Sequence, residues 1–193
     1  MDVEDQLKDS FIKSVKEFYT NEQHLIKDDL CERALVFRLG LIMSRNFHEY
    51  SVYSEYNRAH DAEDHSGYKE IQGQIYTYPD IIVVSGEQGA AANMLVVEAK
   101  KMKNNDIRTD LEKLFWFTSG SYTYRYKVGA HLFFLENCFI VVFYMNGRPN
   151  SLQKYTLTES LWEDISVDLN DYYYYSSIDV LLEELTSREG QDE

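Results

Sequence analysis

Two short stretches hold the residues whose types and spacing can do chemistry. One is Pro79-Asp80, followed by the apolar run Ile81-Ile82-Val83-Val84; the other is Glu98-Ala99-Lys100, closing the run Met94-Leu95-Val96-Val97. Side chains alternate faces along an extended strand, so Glu98 and Lys100 point one way while Leu95, Val97 and Ala99 face the opposite layer. The connection between the two runs is short, which predicts an antiparallel pair with Asp80 beside the end of the Glu98 strand. Asp80, Glu98 and the Ala99 carbonyl are hard oxygen donors of the kind that hold Mg²⁺ or Mn²⁺. Such a cation binds a phosphate oxygen and acidifies a water, and Lys100 can orient that water or stabilise charge developing at phosphorus. Together these groups are equipped for phosphodiester hydrolysis, with Asp80, Glu98 and Lys100 as the catalytic set. The plainer alternatives are a solvated Glu98–Lys100 pair on an edge strand and a turn role for Asp80 after Pro79.

The elements that must position these groups are legible as periodicities. Val3, Leu7, Phe11, Val15 and Phe18 recur at helical spacing and predict an amphipathic helix over 2–19. A second helix is expected from Asp29 to Arg45, a strand over Ser51–Arg58, and a polar loop over Ala59–Gly73. Strands follow at Tyr78–Ser85 and Met94–Lys101, then a helix capped by Asp106 and running to Thr118. Val128–Glu136 and Cys138–Asn146 lack alternation, as the middle strands of a covered sheet do. Ser151–Leu157 reads as an edge strand, Glu159–Ile165 as a short helix, and Ile178–Leu185 as a last helix. The order implies an α/β (mixed α+β) fold, one central mixed sheet flanked by helices. It also implies a single domain with its core over 29–146, a helix added in front and a helical segment over 159–188 behind.

Pro-Asp followed by Glu-x-Lys on neighbouring strands resembles the PD-(D/E)XK nuclease superfamily, the restriction-endonuclease-like fold. Cys31-Glu32-Arg33-Ala34 with Arg38-Leu39 resembles its first core helix, Glu55-Tyr56-Asn57-Arg58 the first strand of small bacterial members, and Asp110-Leu111-Glu112-Lys113-Leu114 the helix after the Glu-x-Lys strand. The resemblance spans roughly Asp29 to Met145. It implies that Asp80 and Glu98 are metal ligands, that Lys100 is the catalytic lysine, and that Glu32 is an auxiliary ligand. For Glu32 a second reading stays open, a helix-start box with Asp29 as cap and Glu32 reaching back.

Charge argues the other way on substrate. Asp plus Glu number 33 against 19 Lys plus Arg, a net charge of −14, so a polyanion is repelled on average. Nucleic acid is a disfavoured partner unless a local patch receives it. Lys101, Lys103, Arg108 and Lys113, with Arg125 and Lys127, are the candidates for a substrate-binding rim, diluted by Asp110 and Glu112. A catalytically silent nuclease-like scaffold serving as an interaction or regulatory subunit is therefore the rival reading. Cys31 and Cys138 read as two buried thiols of a reducing compartment, and His24, His48 and His131 as isolated structural residues. His60 to His65 is a metal-capable loop or, more plainly, a solvated one. Tyr172 to Tyr175 suit sheet packing or a subunit contact, as in a homodimer or a complex with a protein partner, better than base stacking. No apolar run is long enough to span a bilayer and the acidic start is unlike a secretory signal, so the expected location is cytoplasmic.

Overall fold

The computed structural model describes residues 2–54, 70–71, 74–75, 78–87, 89–101, 108–158 and 161–169. Helix α1, Val3–Lys27, starts where the Asp2 carboxylate accepts the Asp5 N–H at 2.7 Å. It buries Leu7, Phe11, Val15, Phe18 and Tyr19 along one face. It continues well past the expected end at Tyr19 because its polar last turns find partners elsewhere. Glu22 pairs with Arg38 of the next helix, and Gln23 donates to the Glu136 carbonyl at 2.9 Å.

Helix α2, Glu32–Asn46, begins three residues later than expected. Asp29 is in the left-handed region at φ 55°, so it cannot be the helix cap, and Cys31 takes that place without a side-chain bond. The capping-box reading of Asp29 and Glu32 is thereby corrected. The Cys31 thiol is exposed, so the expectation of two buried thiols holds only for Cys138.

Seven strands form a mixed sheet: β1 (Ser51–Ser54), β4 (Ile81–Val84), β5 (Asn93–Lys101), β6 (Val128–Phe134), β7 (Cys138–Met145), β8 (Arg148–Thr158) and β9 (Leu161–Asp168), in that spatial order. Between β1 and β4 in sequence, β2 (Glu70–Ile71) and β3 (Gln74–Ile75) make a separate two-stranded ladder, partly inside the stretch expected to be loop. All neighbours in the large sheet are antiparallel except β5 and β6, which are parallel. Helix α3, Arg108–Thr118, lies in the crossover between those two, as a parallel pair requires. Residues 55–58, 60–65, 103, 106, 172–175 and 178–185, on which several expectations fall, lie outside the described residues.

The C-terminal expectation needs correction. Leu161–Asp168 is a strand pairing along β8 from Thr158↔Leu161 to Ser151↔Asp168, not a helix, and it makes β8 the second strand from the edge. The segment carries Trp162, Ile165 and Val167, and a long unsatisfied β8 edge is available to its backbone. That tertiary pairing outweighs a weak local helical pattern. Trp162 then packs at 5.4 Å from the Phe139 ring.

One face of the sheet packs on α1 and α2 through Ile81, Val83, Leu95, Val97, Ala130, Leu132 and Phe143. The other packs on α3 through Ile82, Val84, Val96, Phe133, Ile140 and Val142 against Leu111, Leu114 and Phe117. Leu95, Val97 and Ala99 do share one core layer, on the α2 side. Among the described residues no helix is long and apolar enough to cross a membrane.

Candidate functional site

Strand β5 is a central strand over most of its length, buried from Asn93 through Ala99. Its β4 neighbour stops early. The ladder begins at Ile81↔Val97, so Asp80 comes alongside Glu98 and Pro79 would face Ala99. Proline has no N–H, so it cannot continue the ladder. The freed edge of β5 is taken by carboxylates instead: Asp80 Oδ2 accepts the Ala99 N–H at 2.7 Å, and Glu32 Oε2 accepts the Lys101 N–H at 3.1 Å. A residue in an antiparallel strand turns its carbonyl to the same edge as its N–H. The Ala99 carbonyl therefore lies on this edge, between two carboxylates and past the end of β4.

On the α3 face, Glu98 is 1% exposed. Its Oε2 accepts from Lys113 Nζ at 3.1 Å, and its Oε1 has no hydrogen-bond partner. Lys113 Nζ also reaches Asp110 Oδ1 at 3.1 Å, and Lys100 Nζ reaches Asp110 Oδ2 at 3.1 Å. Glu32 Oε1 stands 3.9 Å from Lys100 Nζ. Beneath them His131, the β6 partner of Glu98 in register, is fully buried with Nε2 at 3.9 Å from Asp110 Oδ2 and no hydrogen bond at either nitrogen. Asp80, Glu98, Lys100 and Glu32 thus converge along the end of β5. Next to this edge, a cleft of about 820 Å³ is lined by Cys31, Glu32, Arg33, Phe37, Ser54 and Asp80.

The electrostatics follow from burial. Desolvation pushes the Asp80 carboxyl up to about 6, against the Ala99 N–H and Lys113, which pull it down; Asp110 and Glu32 add to the rise. Burial also lifts Glu98 well above the usual carboxylate range, with Lys113 opposing and Asp80 and Asp110 reinforcing. Burial works to lower both lysines. Asp110 and Glu32 outweigh it at Lys100, and Glu98 and Asp110 outweigh it at Lys113, so both ammoniums sit above their ordinary value. His131 is driven down to about 3 by burial, against Asp110 and with Lys100 and Lys113, and is neutral at pH 7. Four acidic side chains (Asp80, Glu98, Asp110, Glu32) are grouped with two ammoniums.

The proposed rim divides. Lys113 is not on a rim; its ammonium is inside the cluster. Lys101 Nζ is committed to Asp29 and to the Leu30 carbonyl at 2.8 Å, where it ties β5 to the turn before α2. Arg108 is exposed and pairs with Glu112 at 3.1 Å. Lys103 lies outside the described residues. Asp110 and His131 are members that the sequence reading left aside, Asp110 as a surface charge and His131 as an isolated residue. A signal for Asp110 existed. It sits four and seven residues before Leu114 and Phe117, on the buried face of α3. His131 is one polar residue in an otherwise apolar strand, and without the register to Glu98 nothing distinguishes it from a core histidine.

Among the described residues no three His, Cys, Asp or Glu side chains are gathered closely enough to hold a metal ion as they stand. The donor set nonetheless suits a hard divalent cation: carboxylate oxygens, an edge carbonyl, a buried Glu98 oxygen without a partner, and an excess of negative charge. Compared with family models, curated proteins and solved structures, the chain matches none of them.

Proposed function

We propose that this protein is a metal-dependent phosphodiester hydrolase of the PD-(D/E)XK type. The observation that carries the reading is the buried Glu98 carboxylate with an unpartnered oxygen, beside Asp80 at a strand edge where β4 has ended. Asp80, Glu98 and the Ala99 carbonyl would hold Mg²⁺ or Mn²⁺, with Glu32 auxiliary. A cation held there supplies Lewis acidity toward a phosphate and toward water. The chain's own groups do the rest. Lys100, with its side chain 19% exposed, can donate to a phosphate oxygen as charge builds during in-line attack by water. Its pairing with Asp110 and Glu32 keeps it protonated for that task. Val96, Phe133 and Ile140 are buried on the same α3 face of the sheet and lower the local dielectric there.

The test uses purified protein with Mg²⁺ or Mn²⁺ on single-stranded, duplex and branched DNA and RNA. Cleavage is expected to fall by at least about 10²-fold in Asp80→Ala and in Lys100→Ala. Cleavage that persists in both variants would place the chemistry elsewhere.

One observation favours a second reading, a catalytically silent scaffold that serves as an interaction or regulatory subunit. The Lys113 ammonium already satisfies Glu98 Oε2 and Asp110 Oδ1. Calorimetric titration with Mn²⁺ separates the two. The hydrolase takes up Mn²⁺ and loses it in Glu98→Gln, whereas the scaffold shows no specific uptake in either protein.

A further inference from the structure

We propose that the gap between Glu98 and Asp110 is a second cation position, now held by the Lys113 ammonium as a resident counter-ion that a divalent cation displaces. The inference rests on the metal-site reading above and adds Asp110 as a ligand and Lys113 as its competitor.

Four features of the cluster carry it. Lys113 Nζ is 3.1 Å from both Glu98 Oε2 and Asp110 Oδ1, so the two carboxylates already converge on one positive centre from different elements, β5 and α3. Both acids are nearly inaccessible, with side chains 2% and 4% exposed, so they cannot exchange that centre for bulk water. The other Glu98 oxygen is buried with no partner, a donor that one ammonium at Oε2 leaves unused. The Lys113 side chain is 26% exposed, which gives its flexible four-carbon stem a way out toward solvent.

Charge balance supplies the driving force. A single positive charge, that of Lys113, stands between the two buried acids, and the cluster's other ammonium, Lys100, sits on Asp110 Oδ2. A divalent ion in the same place doubles the compensation at the buried acids, and both Glu98 oxygens become usable as ligands. Lys100 stays on Asp110 Oδ2, so Asp110 keeps one oxygen for the cation and one for the catalytic lysine.

The experiment is Mn²⁺ titration by calorimetry, with thermal unfolding measured in parallel. The proteins are the full chain, Lys113→Met, and Lys113→Met combined with either Asp110→Asn or Asp80→Asn. Lys113→Met is expected to gain Mn²⁺ affinity on the order of tenfold or more, because the competitor is gone. It should also show a larger Mn²⁺-induced rise in Tm than the full chain. The gain should vanish when Asp110→Asn is added and survive when Asp80→Asn is added. Equal or weaker binding by Lys113→Met, with normal Asp80-dependent uptake by the full chain, overturns the second position and leaves the first intact. No uptake by either protein overturns both readings.

A further measurement needs no variant: the ¹⁵N-labelled Lys113 ammonium resonance of the full chain, followed through an Mg²⁺ titration. A shift or loss of that resonance supports displacement. A resonance unchanged at saturating Mg²⁺ overturns it.

Discussion

At the level of single residues, Asp80 reports most directly on the site. In the folded protein its carboxyl holds a proton up to about pH 6, whereas in the unfolded chain it releases it near 4. Between those values the folded state binds the extra proton, so stability is fully present below the lower value and declines as pH rises through the upper one. The loss amounts to at most about 3 kcal/mol. His131 acts with the opposite sign. Its folded value near 3 means that the unfolded chain protonates first as pH falls below about 6.5, so stability is lost toward acid. Urea unfolding in EDTA between pH 4 and 7 separates the two. Asp80→Asn should gain stability relative to the natural chain as pH rises from 4 to 6, and parallel curves would show that Asp80 is not buried as described. Residue-level legibility was uneven for a physical reason. The two-residue repeat of a strand places Glu98 and Lys100 on one face without any knowledge of neighbours. Asp110 and His131 join them only through the α3 crossover and the β5–β6 register, which are contacts between elements distant in sequence.

Among elements, the seat of α3 on the sheet sets the site, because α3 carries Asp110 and Lys113 while β5 carries Glu98 and Lys100. The helix comes close to the sheet at Gly129 of β6. A Cβ there would stand 2.8 Å from Thr118 Cγ2, 3.1 Å from Tyr144 Cβ and 3.3 Å from Leu114 Cδ2. Thr118 cannot easily turn aside, since its hydroxyl donates to the Leu114 carbonyl at 2.8 Å and accepts the Gly147 N–H at 3.1 Å. Gly129→Ala should therefore destabilise by about 1–3 kcal/mol. On the metal-site reading it should also weaken Mn²⁺ uptake, because α3, which carries Asp110 and Lys113, must shift on the sheet. Gly86→Ala, where nothing lies within 4 Å, is the control and should change the urea midpoint little. Equal effects of the two substitutions would contradict this packing. Strands buried on both faces, such as β6 and β7, were readable as continuous apolar runs. The outer strand β9 was not, because Leu161 is 73% and Ile165 52% exposed and its identity as a strand comes from pairing with β8.

For the molecule as a whole, the charge of −14 limits how the proposed phosphodiester substrate could be received. Six of the fifteen lysines and arginines among the described residues pair with acids: Arg38 with Glu22, Arg45 with Glu17, Arg108 with Glu112, Lys101 with Asp29, and Lys100 and Lys113 within the cluster. With acids in such excess over bases, the field of the molecule works against a groove that neutralises six or more phosphates. On the proposed hydrolase reading, contact with a nucleic-acid strand should instead be confined to the one or two phosphates at the site, reached by Lys100 and a cation held by Asp80 and Glu98. Counter-ion release then predicts a shallow salt dependence, with affinity for a phosphorothioate single strand in Mg²⁺ falling less than about tenfold between 50 and 200 mM salt. A groove of six or more contacts to a single strand would give a fall of about 300-fold or more. Fluorescence anisotropy on the full chain measures this, and removal of Mg²⁺ with EDTA should abolish binding, since the remaining field repels the strand. A steep salt slope, or binding that survives EDTA, would mean that a basic surface other than this cluster recruits the polyanion, against the proposed mode of contact through the site alone.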